Sequence, residues 1–216
     1  MHRNYLYYGF LNFWMFEMNL SLNDIFNRYK DFQDGVRVSM LINRGIGNSN
    51  KGSKRWMNKI ISTNPKEWQD AITTLHEIQL IQNNPDMRIY SCLNDRDMAK
   101  GIKMFQHMLI DVFPDMRDRF YRKLNDRFCS ALMKPENKNS KLFMLDVDSK
   151  VTHEVDEFIS SNMIEVVNTF PSRQGWHYIV KPFNVTLANG KETFSVIKDG
   201  LILINYLDGQ NEHRQI

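Results

Sequence analysis

The stretch Leu142-Phe143-Met144-Leu145-Asp146-Val147-Asp148 limits what this chain can fold into more than any other segment. A short apolar run that follows a polar loop reads as a strand. Strand side chains alternate, so Asp146 and Asp148 share one face and Val147 takes the other. Two carboxylates on one face repel each other and are costly to bury unless a cation sits between them. Hard divalent ions such as Mg²⁺ or Mn²⁺ are the usual solution, and phosphate chemistry is their usual use. The plainer alternative is a strand end whose Asp148 caps the following helix.

A second strand-like run, Gly175-Trp176-His177-Tyr178-Ile179-Val180-Lys181, follows about thirty residues later. His177, Ile179 and Lys181 fall on one face, and Trp176, Tyr178 and Val180 on the other. This assigns the aromatics to the core and His177 and Lys181 to an outward working face. Gly175 permits a tight turn or a close approach to a ligand. Ser172, Arg173 and Gln174 precede it and supply a hydroxyl, a guanidinium and an amide, a set suited to phosphate. An ordinary surface histidine after a hairpin turn is the alternative for His177.

The chain divides near Pro135-Glu136-Asn137-Lys138-Asn139-Ser140, a polar loop. Before it, from about residue 20, the pattern is mostly helical. Asn64-Pro65-Lys66-Glu67 is a helix start, with Asn as cap, Pro in the first turn and Glu at the third position. Trp68, Ala71, Ile72, Leu75, Ile78 and Ile81 then form one apolar stripe. Met87–Leu93 reads as a short strand. Asn94 or Asp95 caps a second helix with Met98, Ile102, Phe105, Leu109 and Val112 inward. A third starts at Pro114, with Met116, Phe120, Leu124, Phe128 and Leu132 inward. After residue 141 the order is strand, a helix over Lys150–Ser160 with Val151, Val155 and Phe158 inward, a strand over Met163–Thr169, the His177 strand, and a last strand over Leu201–Tyr206. The expectation is an α+β chain: a mostly helical N-terminal half packed on an RRM-like antiparallel sheet that carries the acids. Residues 1–140 form the helical subdomain with a basic loop and 141–216 the RRM-like subdomain, interlocked as one domain.

Composition narrows the partners. The 216 residues are 42% hydrophobic and 25% charged, which predicts a globular core. A net charge of +3 permits a polyanionic partner without requiring one. Cys92 and Cys129 sit in unrelated contexts with no metal-ligand spacing, so structural zinc is not expected and a reducing cytoplasm is the default. The aromatic stretch Tyr5–Leu20 is too short and too interrupted by Asn12, Glu17 and Asn19 to span a membrane. It is assigned to packing on the core, the alternatives being an upstream extension of the start or a surface-binding segment. The segment Asn43–Trp56 is Gly-rich and carries Arg44, Lys51, Lys54 and Arg55, with Trp56 available to stack on a base. It lacks the phosphate-loop pattern. It reads either as a grip on template or phosphate, or as a solvated loop before a helix. Arg88, Arg96 and Lys100 are further cationic residues for a cleft, with local pairing of Asp95 and Arg96 as the alternative.

Asp146-Val147-Asp148, then Gly175-Trp176-His177, then Asp199 at a strand start, together resemble the three-motif pattern of the archaeo-eukaryotic primase (primase-polymerase) superfamily. Met87–Arg96 is similar to the strand and Asn-x-Arg turn in the N-terminal half of primase-polymerase members. The resemblance covers roughly residues 85 to 206. It implies a small, single-domain nucleotidyltransferase acting in replication of a phage, plasmid or similar element. Asp146, Asp148 and Asp199 would hold two divalent ions, Mg²⁺ or Mn²⁺, with Asp208 as the substitute for Asp199. His177, Lys181, Arg173 and Ser172 would bind the incoming nucleoside triphosphate. Arg44, Lys51, Lys54, Arg55, Arg88 and Arg96 would hold single-stranded template and primer. A separate helicase or replication protein would supply the remaining functions. Two other readings stand beside it: a metal-dependent nuclease using the same acids, and a non-catalytic module that binds single-stranded nucleic acid.

Overall fold

The computed structural model describes residues 21–44, 55–84, 86–112, 123–148, 152–172 and 174–207. The chain is α+β. Among the described residues, helices α1 (Leu22–Arg28), α2 (Pro65–Gln82), α3 (Met98–Val112), α4 (Leu124–Leu132) and α5 (His153–Ser161) accompany eight strands. The strands are β1 (Arg37–Asn43), β2 (Arg55–Ser62), β3 (Met87–Cys92), β4 (Phe143–Val147), β5 (Val166–Pro171), β6 (Trp176–Val180), β7 (Ser195–Ile197) and β8 (Leu201–Tyr206). They form two antiparallel sheets, ordered β2-β1-β3-β8 and β5-β6-β4-β7. No described helix is long and apolar enough to cross a membrane.

The N-terminal half has more described residues in helices than in strands, as expected, but it also contributes three strands to the first sheet. β1 escapes a periodicity reading since Arg37 through Ile42 are all buried, which leaves no alternation to detect. β2 opens at Arg55, where the sequence suggested a loop before a helix. Trp56 is thus a strand residue. The stretch after residue 141 is not confined to the second sheet either: β8 pairs with β3 and completes the first.

Where local signals are strong, the elements follow them. Asn64 caps α2 by accepting from the Glu67 N–H at 3.0 Å, and Glu67 reaches back to the Thr63 N–H at 2.8 Å. Asn83 ends the helix in the left-handed region at φ 42°. Trp68, Ala71, Ile72 and Leu75 are buried as the stripe requires, but Ile81, in the last turn, is 81% exposed. Among the described side-chain positions of α3 the buried one is Gly101, while Ile102 is 43% exposed. A Cβ at Gly101 would collide with Leu132 of α4, so glycine is what lets the two helices touch.

Three apolar clusters organise the packing. One face of the first sheet, with Leu41, Ile89, Ile202 and Ile204, packs under α1 and α2. The other face, with Val38, Met40, Ile42, Tyr90 and Leu203, packs on α4. α5 covers one face of the second sheet through Val155 and Phe158. The segment after α1 joins the sheets: the Tyr29 ring stacks on Phe170 of β5 at 4.4 Å while its hydroxyl donates to the Leu203 carbonyl of β8 at 2.6 Å. Burial pushes the Tyr29 hydroxyl pKa well up, so it stays a donor. A second junction is the bend Lys198-Asp199-Gly200 between the edge strands β7 and β8. A Cβ at Gly200 would lie 2.7 Å from Ile197, so this turn also needs glycine.

Candidate functional site

β4 pairs with β6 in a register that sets Asp146 opposite His177. Alternation along β4 sends Leu145 and Val147 to the α5 side, where they pack with Tyr178 and Val180. Met144 and Asp146 take the other side, together with Ile179 and His177. That face looks toward the first sheet across a cleft of about 440 Å³. Asp146, Asp148, His177, Ser172 and Gln174 line one wall. Arg44, Arg88, Tyr90, Leu201 and Leu203 line the other, with Met144 and Ile197 at the base.

The His177 Nε2 lies 3.2 Å from Asp146 Oδ1. A carboxylate only accepts, so Nε2 carries the proton in this contact. The Nδ1 is buried and has no partner among the described residues. His177 is 7% exposed, so it does not stand outward from the sheet as its sequence context suggested. Both faces of β6 are covered, one by the α5 cluster and one by the cleft. Ser172 shapes the preceding turn: its Oγ accepts from the Gly175 N–H at 3.0 Å, and its own N–H donates to the Gly175 carbonyl at 2.8 Å.

On the opposite wall, the Arg44 guanidinium sits 4.9 Å from the centre of the Tyr90 ring, within cation–π range. The Arg88 Nε is buried with no partner among the described residues. An unpaired buried donor is costly, and the side chain that carries this one lines the cleft. Tyr90, Leu201 and Leu203 had no functional signal in the sequence. Their role as a wall arises only when β3 and β8 pair and the second sheet closes over them.

Several expected site residues lie elsewhere. Asp199 does not line the cleft. Its carboxylate accepts two bonds from Arg96, Nη1 to Oδ2 at 3.0 Å and Nη2 to Oδ1 at 2.7 Å, and a third from Asn94 at 3.3 Å. Both carboxylate oxygens are thus engaged by Arg96, away from the residues that line the cleft. Arg96 is correspondingly not a nucleic-acid contact, because it is fully buried in that fork. Asn94 works with it: its Oδ1 accepts from the Leu142 N–H at 2.7 Å, fastening the entry to β4. Lys181 lies beyond the end of β6, exposed, and is not among the cleft-lining residues. Its distance from His177 along the strand is about 13 Å at the usual rise. Lys51, Lys54, Arg173, Asp208, Val151, Met116, Phe120 and the aromatic stretch before residue 21 fall outside the described residues, as does the side chain of Arg55.

Among the described residues, no group of three or more His, Cys, Asp and Glu side chains is gathered to hold a metal ion. The donor set that the cleft offers is the carboxylate pair Asp146 and Asp148. Mg²⁺ is commonly held by one or two carboxylates, with waters and substrate phosphates completing the octahedron. Two acids beside arginines and a histidine fit that pattern. No protein-family model matches the chain, and no match was found among curated proteins or solved structures.

Proposed function

We propose that this protein is a template-dependent nucleotidyltransferase of the primase-polymerase type. The observation that carries the reading is the cleft: Asp146, Asp148 and His177 on one wall face Arg44 and Arg88 on the other. Asp146 and Asp148 would hold Mg²⁺ or Mn²⁺, and the ion would supply charge neutralisation and activation of the attacking hydroxyl. His177 and Ser172 position the triphosphate of the incoming nucleotide. Arg88 and Arg44 balance phosphate charge from the opposite side. The chemistry is in-line transfer, with positioning as the main contribution of the protein. Single-stranded template, primer and nucleoside triphosphates are the partners.

The second sheet supports the RRM-like part of the reading. Its chain order is strand, helix α5, strand, strand, a short 3-10 turn at Val185–Ala188, and strand, as in a split βαβ layer whose second helix is reduced to one turn.

The test is an extension assay with Mg²⁺ or Mn²⁺, labelled nucleotides and single-stranded template, with and without primer. Wild type is compared with the Asp146→Ala/Asp148→Ala double variant. Products that lengthen in wild type and vanish in the variant are expected. Template shortening that the variant loses would make the protein a nuclease instead. Template binding without any product, unaffected by metal, would leave a binding module.

A further inference from the structure

The Arg44–Tyr90 contact is unusual for a surface cation. Arg44 is exposed at the end of β1, yet its guanidinium folds back over an aromatic ring inside the cleft. Tyr90 is 4% exposed in this arrangement, so the guanidinium helps cover a face that would otherwise open on the cleft. Beside it, the Arg88 Nε has no protein acceptor among the described residues. Leu201 and Leu203 continue the same wall, so its character is aromatic and apolar with two cations, while the acids stand opposite. A ligand that suits both walls must be anionic at one part and flat and weakly polar at another. A cleft of about 440 Å³ falls in the size range of small-molecule sites.

We infer that Tyr90 is the nucleobase platform of the bound nucleoside triphosphate, with Arg44 its removable cover and Arg88 a phosphate partner. The inference rests on the nucleotidyltransferase reading and deepens it. In the ligand-free protein the guanidinium occupies the ring face. On binding, the base takes that face and Arg44 moves aside to the phosphates or the cleft mouth. Stacking tolerates any base, since every base has a π-face, so this wall would bind nucleotides without choosing among them.

Titration calorimetry in Ca²⁺, chosen to suppress turnover, tests this with two probes: dATP and tripolyphosphate, which has no base. Wild type is expected to bind both. Tyr90→Leu should weaken dATP about 10-fold, a typical loss for one base–aromatic stack, and leave tripolyphosphate unchanged. Tyr90→Phe should bind dATP as wild type does, and Arg88→Gln should weaken both probes. Retained dATP affinity in Tyr90→Leu overturns the inference, and so does equal loss of both probes, which would report damage to the scaffold. Wild type that binds neither probe would sink the nucleotidyltransferase reading itself, a result distinguishable from failure of the platform alone.

Discussion

Asp199 and Asp146 each meet a basic partner, and the two surroundings are opposite. Asp199 gives both oxygens to Arg96 and a further contact to Asn94, with side chains 14% and 0% exposed for the acid and the arginine. Asp146 engages His177 through one oxygen, with its side chain 29% exposed on the cleft wall. The first acid is used up in holding strands together: Arg96 follows β3, and Asp199 sits in the bend that joins β7 to β8. The second has acceptor capacity left over. An acid motif in a sequence therefore says little about chemistry until the surroundings show how many of its lone pairs are already taken.

The comparison makes a ranked set of stability predictions, read by urea unfolding. Arg96→Met should be the most damaging, at about 3–5 kcal/mol, because it leaves a mostly buried carboxylate without its cation. Loss of under about 1 kcal/mol would mean that the pair is dispensable and the contrast empty. Asp199→Asn should cost less, about 1.5–3 kcal/mol, since one acceptor oxygen survives while the charge-assisted fork is lost. Asp146→Asn should be the mildest, within about 0.5 kcal/mol of wild type, yet should abolish metal-dependent extension. An Asp146→Asn variant as unstable as Asp199→Asn would show that both acids are structural.

The readable parts of the fold are those whose signals are local. The α2 cap, its stripe from Trp68 to Leu75, and the strands at Met87, Leu142 and Gly175 all lie where spacing and turn chemistry put them. The unreadable parts depend on partners distant in sequence. β1 is buried on both faces, so its pattern carries no period. Ile102 and Gly101 exchange roles because Leu132, in another helix, decides which residue can sit at the contact. Asp199 had the right spacing for a third ligand, but Arg96 reaches it from far along the chain.

By itself, the sequence determined that Asp146 lies on a strand, which ends at Val147 just before Asp148, and that His177 follows on another strand. Alternation along an extended backbone is a property of the chain, independent of what packs around it. Only the tertiary structure decided which face meets the cleft, that Arg44, Arg88 and Tyr90 form the opposing wall, and that Asp199 is held away from it. Those outcomes are set by register between strands and by contacts across β3, β7 and β8. Spacing along one chain does not specify them, because each depends on packing two sheets that meet only after the chain has closed.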